Sequence, residues 1–263
     1  MTRFFSRFAD GFQRGLDSDI FYSFSRSPTV VVAAIVTIVY ISASMLAPWI
    51  APHQVFDLKT LNLLDAFTPP AWHEDGKLTF MLGTDDQGRD VLSTILFGSR
   101  ISLLVGFASI IVAMIVGIGL GLISGYVGGR VDAVIMRIAD VQLTFPAILT
   151  ALLINGLARG FLPRRMHDEM AIYVLVIAIA MARWVQFART VRSSTMVEKN
   201  KDYIKAARVI GRHPAAIMFK HILPNVMGPV LVIATISLAI AVLLEATLSF
   251  LGVGVPATQP SLG

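Results

Sequence analysis

Long apolar stretches alternate with shorter polar segments along the chain, and this pattern predicts several membrane-spanning helices. Residues 29–50 and 101–127 contain no charged side chain. About 20 apolar residues in a helix are enough to cross a hydrocarbon core of about 30 Å. Three further spans are predicted near 134–157, 170–188 and 226–247. The predicted fold is therefore all-α, a polytopic membrane helical bundle with five spans in this chain.

The polar segments predict how the chain is divided. Residues 1–28 mix Arg and Asp with four Phe at helical spacing, which indicates a short amphipathic segment at the membrane surface. A cleaved signal peptide fits poorly, because this leader is too long and the apolar run after it exceeds a normal signal core. Residues 51–100 are rich in Pro and Asp and cannot cross lipid. The transmembrane core is predicted at 101–247, followed by a Gly- and Pro-rich tail at 248–263.

Lysine and arginine predict the orientation of the chain in the membrane. These residues accumulate on the cytoplasmic side of membrane proteins. With the N-terminus inside, fourteen of them fall in cytoplasmic segments, eight of these within residues 189–225, here called the basic segment. Six are then counted outside, leaving out Arg100 at the border of the second span: Lys59, Lys77, Arg89, Arg159, Arg164 and Arg165. We therefore expect a cytoplasmic N-terminus, with residues 51–100 outside, and we attribute the net charge of +5 to this bias rather than to nucleic-acid binding.

Composition and spacing exclude several kinds of site. Apolar residues make up 55% of the chain and charged residues 15%, against about a quarter charged in a typical soluble domain. No cysteine is present, which excludes disulfides and thiolate metal sites. His213 and His221 lie eight residues apart and do not form a recognised ligand pair. No Gly-x-x-x-x-Gly-Lys-Ser/Thr phosphate loop occurs, so a partner must bind any ATP that is used. We predict no catalytic site, no cofactor and no metal.

The basic segment predicts two short helices separated by a glycine. Residues 201–210 have helical propensity, and Gly211 is well placed to end that helix. Pro214 can begin a second helix, since its missing N–H costs nothing at the first position. Leu223 and Pro224 are predicted to close the unit. Such a unit at the cytoplasmic face can serve as a knob that another protein grips and moves; an ordinary basic loop held to anionic lipid is the alternative.

The same segment resembles a loop of a known family. Ala206, Ala207, Gly211, Leu223 and Pro224 match, in residue type and spacing, the "EAA" loop of bacterial ABC import permeases. That loop has the form Glu-Ala-Ala, three residues, Gly, nine residues, Ile-x-Leu-Pro. The string KHILPNV is similar to the dipeptide and oligopeptide branch, the C-type permeases.

Two further strings support the resemblance, which covers about residues 29–263. Residues 82–103 resemble the stretch before the second span of peptide permeases, and residues 248–263 resemble the segment after the fifth span. In the family a sixth helix follows that segment, so the resemblance implies a sixth span that this chain lacks. Lys205 departs from the pattern, because the family often has Glu there.

The resemblance implies a function and a set of partners. The chain is expected to be the permease subunit of an ATP-driven importer of the inner membrane that carries peptides. The expected partners are ATPase subunits, a second permease subunit in a heterodimer, an extracytoplasmic substrate-binding protein and membrane lipid, but no nucleic acid. The residues expected to couple the ATPase to the helices are Lys205, Ala206, Ala207, Gly211, His221, Leu223 and Pro224.

Charged residues in the predicted spans favour an alternative function, in which the chain is a secondary, ion-coupled transporter or channel. Glu245 is the lone carboxylate of its span, and charges inside a membrane are often functional. Its place near the outer end also fits a snorkelling or capping role. Arg137 and Asp140 stand three residues apart and can pair on one helix face. Against this alternative, the two halves of the chain show no repeat of the kind such transporters often contain.

Two other patterns predict local structure. Asp85, Asp86 and Asp90 surround Gly88 and predict a tight polar turn in which Asp90 caps the next helix. The spacing does not fit an EF-hand calcium loop. The second span also carries a stripe of small residues that favours close helix packing: Gly117, Gly119, Gly121 and Gly125.

Overall fold

The computed structural model describes residues 22, 24–55, 62–256, 259 and 261–263. Most of the predicted amphipathic segment near the N-terminus lies outside these residues. Within them the chain is α-helical and no strand is formed, so the all-α prediction is confirmed. The helices are α1 Pro28–Met45, α2 Ala47–Ile50, α3 Val91–Val127, α4 Gly129–Thr144, α5 Ala147–Phe161, α6 His167–Glu198, α7 Asp202–Val209, α8 Pro214–Ile217 and α9 Leu223–Phe250.

The chain divides into two compact units, Met1–Ala51 and Pro52–Gly263. The first contains α1 and α2, and most apolar side chains of α1 are exposed. The second contains α3 to α9. In it, α3 and α6 pack along most of their lengths, and α9 packs against both.

Among the described residues, four helices are long and apolar enough to cross a membrane: α1, α3, α6 and the continuous helix Pro214–Phe250. A fifth span is present if α4 and α5 together count as one. These two helices bend by 96°, so the span predicted near 134–157 is not one straight helix. The bend follows from Pro146, because the residue before a proline is disfavoured in the helical conformation. Phe145 is accordingly extended, with φ −94° and ψ 129°.

Glycines on α3 allow its close approach to α6. A Cβ at Gly117 would lie 2.5 Å from the Cβ of Phe187, and a Cβ at Gly121 would lie 2.6 Å from the carbonyl oxygen of Ala188. Gly125 makes a similar approach to α6. The predicted packing role is confirmed for these three positions. Gly119 differs, since no atom lies within 4 Å of the place its Cβ would take.

The polar turn before α3 forms as predicted. Asp85 Oδ1 accepts hydrogen bonds from the backbone N–H groups of Gln87 and Arg89, at 2.9 and 2.8 Å. Gly88 takes φ +77°, the left-handed conformation that glycine adopts readily. Asp90 Oδ2 accepts from the Ser93 N–H at 2.9 Å and caps α3. Burial of the Asp85 carboxyl opposes its ionisation, but these hydrogen bonds and the Arg89 guanidinium outweigh burial and lower the pKa of Asp85.

Candidate functional site

Within the basic segment, residues 199–222 connect α6 to α9 and are here called the joint. Its first helix, α7, ends in two backbone hydrogen bonds typical of a Schellman cap. The Gly211 N–H donates to Arg208 O at 3.0 Å, and the Arg212 N–H donates to Ala207 O at 3.1 Å. Gly211 takes φ +78°, so the predicted helix end at this glycine is confirmed.

The second helix of the joint starts where predicted but does not stop where predicted. Pro214 occupies its first turn, and His213 Nδ1 accepts from the Ala215 N–H at 3.3 Å. The helix then passes through a π turn, Met218–Ile222, into α9. Leu223 and Pro224 therefore lie inside a continuous helix and do not close the unit. The wider π turn lets the helix continue, because it shifts the hydrogen-bond register just before Pro224, which has no N–H to donate.

A cluster of hydrogen bonds joins α6, α7 and α9. The Tyr203 hydroxyl donates to Glu198 Oε1 at the end of α6. Asn225 Nδ2, at the start of α9, donates to the Tyr203 oxygen at 3.0 Å and to His221 O at 2.7 Å. Lys201 Nζ lies 2.8 Å from Glu198 Oε2. Burial of the phenol oxygen, and then the hydrogen bond to the Glu198 carboxylate, raise the pKa of Tyr203 to about 12.

The joint is also attached to the end of α3. The Arg208 guanidinium lies over the Tyr126 ring, 5.0 Å from its centroid, in the arrangement of a cation–π contact. Lys199 Nζ donates to Gly125 O at 2.6 Å. A cation near the last carbonyls of a helix is favourable, because these carbonyls carry the negative end of the helix dipole. The joint is therefore in contact with α3 as well as with α6 and α9.

Ion pairs tie α4 to the same end of α6. Asp132 accepts hydrogen bonds from Arg192, with Nη2 2.6 Å from Oδ2, and also from Ser124 Oγ. Asp140 pairs with Arg189. The predicted pair between Arg137 and Asp140 is therefore wrong: the carboxylate of Asp140 reaches across to α6, although Arg137 stands one turn away on its own helix.

The predicted coupling residues divide into exposed and buried positions. Lys205 is exposed and its Nζ lies 3.0 Å from Asp202 Oδ1, so it pairs within α7. Ala207 is buried, whereas Ala206, Gly211 and Pro224 are exposed and His221 and Leu223 are half-buried. The most exposed apolar side chains of the joint are Val209 at 88% and Ile210 at 80%. They lie at the end of α7, directly before the Gly211 cap.

Buried polar groups lie deeper in the bundle. Glu245 does not snorkel to water, because this residue is fully buried and accepts a hydrogen bond from Ser249 Oγ at 2.8 Å. Arg183 is only 8% exposed, and its Nη2 donates hydrogen bonds to Gln186 Oε1 and to Ser237 Oγ. The latter bond, at 3.1 Å, joins α6 to α9. Neither residue forms an ion pair within the part of the chain that the structure describes.

Two family models match the chain. The model described as "Binding-protein-dependent transport system inner membrane component" matches residues 117–263. The model described as "N-terminal TM domain of oligopeptide transport permease C" matches residues 18–70.

Curated relatives match over nearly the whole chain. The dipeptide transport system permease protein DppC of Haemophilus influenzae is 36% identical over 93% of this chain and 79% of its own length. The di/tripeptide transport system permease protein DppC of Pseudomonas aeruginosa is 36% identical over 93% of this chain and 77% of its own. The oligopeptide transport system permease protein OppC of Bacillus subtilis is 34% identical over 93% of this chain and 74% of its own.

Proposed function

Because the chain belongs to the family of inner-membrane components of binding-protein-dependent transport systems, we propose that it is the permease subunit through which short peptides enter the cell. The observation that carries this proposal is the similarity over 93% of the chain to permeases named for dipeptides, di- and tripeptides and oligopeptides. The subunit is a transport component and not an enzyme, and ATP hydrolysis lies in a separate subunit.

We infer that the joint formed by α7 and α8 is where the ATPase docks. Val209 and Ile210 expose 88% and 80% of their surface, and Phe219 exposes 58%. Apolar side chains exposed together outside a membrane mark an interaction surface. The cap at Gly211 fixes their position, and the bonds of Tyr203 and Arg208 connect them to the spans. The seven coupling residues predicted from the sequence lie in or next to this joint.

The remaining partners follow from the same proposal. The N-terminus and the joint are cytoplasmic, and the segment between α2 and α3 faces the outside. A second permease subunit completes the translocation pathway, and an extracytoplasmic binding protein delivers the peptide. Apolar side chains of α3 and α9 that face away from the core, such as Ile115 at 67% and Leu243 at 66% exposed, are available to lipid and to that second subunit.

Transport in membrane vesicles tests the function. Uptake of a labelled dipeptide should require the co-expressed second permease, binding protein and ATPase, and should stop when the ATPase is replaced by a variant that cannot hydrolyse ATP. A protonophore should leave uptake unchanged. Uptake that continues without an active ATPase and stops with the protonophore would support the ion-coupled alternative instead.

Substitutions in the joint test the docking surface. Replacing Val209 and Ile210 by Asp should reduce the amount of ATPase that co-purifies with the permease, because a buried carboxylate without a partner is costly at an interface. Val134 on α4 is 60% exposed, and Val134→Asp serves as the matched control. Equal loss of ATPase in the control would show that the joint has no special role.

A further inference from the structure

The arginine of α6 that lies deepest in the bundle is Arg183. Its depth follows from the contact between α3 and α6, where a Cβ at Gly117 would lie 2.6 Å from Trp184 O and 2.5 Å from Phe187 Cβ. Arg183 directly precedes Trp184, and Gly117 stands within one helical turn of the midpoint of the uncharged run 101–127. Arg183 therefore lies near the centre of the hydrocarbon core, where a charged side chain is costly and marks a functional site by default.

No carboxylate among the described residues balances this charge. Nη2 donates to two neutral oxygens, Gln186 Oε1 at 2.7 Å and Ser237 Oγ at 3.1 Å, and Nε is buried without a partner. Glu245, the buried carboxylate of α9, stands eight residues beyond Ser237, which is about 12 Å along the helix. The guanidinium thus keeps donors that no described group uses.

A row of polar side chains leads from Arg183 towards the joint. Gln186, Arg189 and Ser193 follow it at intervals of three, three and four residues, so these four side chains share one face of the helix, here called the α6 polar face. Gln186 and Ser193 are exposed. Arg189 and its partner Asp140 expose 47% and 53% of their side chains. Exposed polar groups therefore continue along α6 through the half of the bundle next to the joint.

Lipid is an unsuitable neighbour for the α6 polar face. Gln186 lies between Trp184 and Phe187 in the sequence and hence at the depth of Gly117, and its Nε2 has no partner among the described residues. An amide without a partner costs several kcal/mol in hydrocarbon. Ile177, nine residues or two and a half turns before Gln186, is apolar and 52% exposed on the opposite face. The apolar face suits lipid, whereas the polar face suits a water-filled route.

We propose that the α6 polar face lines the inner half of the translocation pathway and that Arg183 binds the C-terminal carboxylate of the peptide in transit. The proposal rests on the proposed function and adds a substrate site inside the membrane. A carboxylate matches the planar fork of a guanidinium and adds Coulomb attraction, which the oxygens of Gln186 and Ser237 cannot supply. Since Arg183 is only 8% exposed, the site opens when α6 and α9 part at Ser237. Every peptide with a free C-terminus carries this group, so one arginine serves many sequences.

Thiol labelling tests whether the α6 polar face meets water, since the chain has no cysteine of its own. The assembled importer is prepared in inside-out vesicles without the binding protein, treated with a charged methanethiosulfonate reagent, and labelling is read on this chain after purification. Ile177→Cys, exposed on the opposite face, is the matched control for Gln186→Cys. The reagent attacks the thiolate, and hydrocarbon raises the pKa of a thiol by more than one unit. Gln186→Cys should therefore react at least about tenfold faster than the control.

Protection of the same thiol tests the carboxylate. Alanyl-alanine and acetyl-alanyl-alanine should slow labelling of Gln186→Cys equally, whereas alanyl-alanine amide should need about tenfold higher concentration for the same protection, or about 1.4 kcal/mol of binding free energy. Adding Arg183→Gln should remove this difference between acid and amide, and adding Arg183→Lys should retain most of it. Arg137→Gln removes an exposed charge of α4 and should leave the difference unchanged. Because no binding protein is present, any discrimination arises in the membrane subunits.

The outcomes separate this inference from the proposed function. Equal reactivity of Gln186→Cys and Ile177→Cys would show that the α6 polar face does not line an aqueous route. Equal protection by acid and amide would show that Arg183 does not bind the substrate, as when a carboxylate of the second subunit already occupies it. That comparison keeps Arg183 and is decisive even if Arg183→Gln fails to assemble. With either result, normal ATP-dependent uptake of a dipeptide would leave the proposed function standing, whereas loss of uptake in the unsubstituted importer would contradict the proposed function itself.

Discussion

The hydroxyl of Tyr203 in α7 donates a hydrogen bond to the carboxylate of Glu198 at the end of α6. The bond crosses the break between these two helices, and Asn225 extends it to α9. One phenol oxygen thus fixes the angle among three helices at the proposed docking site. In structural terms, α7 is not a loosely attached loop but a part clamped to the spans on either side.

Tyr203→Phe should loosen this clamp without preventing membrane insertion. Hydrogen bonds to charged groups contribute about 1.5–3 kcal/mol, and the loss should appear as a lower thermal midpoint of the purified complex and as fewer peptides transported per ATP hydrolysed. Tyr173→Phe is the control, because Tyr173 is 66% exposed at the other end of α6. An unchanged transport ratio in Tyr203→Phe would rule out a coupling role for the clamp.

The raised pKa of Tyr203 gives this contribution a pH window. Because the folded pKa of about 12 lies above the usual value of 10.0, the neutral phenol is stabilised by folding. The contribution is fully present below about pH 10 and is lost as pH rises towards 12. Alkaline titration of tyrosinate absorbance should show one tyrosine that ionises late in the native protein and is missing from Tyr203→Phe. A difference titration centred near pH 10 would contradict the assignment.

Gly211→Val should uncouple ATP hydrolysis from transport. A side chain with a Cβ loses about 1–2 kcal/mol in the left-handed conformation that Gly211 adopts. The added side chain meets no other obstacle, since no atom lies within 4 Å of the place its Cβ would take. Gly211→Asn should be milder, because Asn tolerates this conformation. Gly228→Ala, an equally uncrowded glycine within α9, is the control. Equal coupling in Gly211→Val and the wild type would show that the cap does not matter.

Gly121→Ala should destabilise the bundle, whereas Gly119→Ala should not. The added methyl at Gly121 would lie 2.6 Å from the backbone oxygen of Ala188, so α6 must move away. Overpacking of this kind costs about 1–3 kcal/mol. Thermal unfolding of the detergent-purified chain measures the difference between the two variants. The same midpoint for both would mean that the helices separate freely at Gly121.

Lys77→Cys should react with an impermeant thiol reagent added to intact spheroplasts. This position is exposed in the segment before α3, which the proposed orientation places outside. The native chain supplies no competing thiol. Arg212→Cys, in the joint, should react only after lysis. The reverse pattern at the two positions would invert the proposed orientation.

The sequence predicted where apolar helices occur but not where they end. The second span was predicted to start at residue 101, whereas α3 begins at Val91. An uncharged run in the sequence indicates only the part of a helix that lies in the hydrocarbon core. The helix itself starts earlier, directly after its N-cap residue Asp90. Similarly, α6 continues to Glu198 past Arg189 and Arg192, because both arginines pair with acids of α4.

Long-range partners were beyond sequence reasoning for a related reason. The glycine cap and the proline start of α8 depend on neighbours in the chain, and both were predicted. Asp140 was matched with Arg137 because helical spacing is the only geometry that a sequence displays. Its actual partner, Arg189, lies 49 residues away. Burial of Glu245 was missed in the same way, since the packing of α9 against α3 and α6 is a tertiary property.

The unbroken run from Pro214 to Phe250 has a mechanical consequence. Its 37 residues form a rod of about 55 Å that begins in the joint and ends at Phe250, at the other end of the bundle. A tilt of about 5° around one end of such a rod displaces the other by about 5 Å. With the ATPase docked at the joint as proposed, a small push at one face of the membrane would reach the other face through this helix, with no signal passed from residue to residue in between.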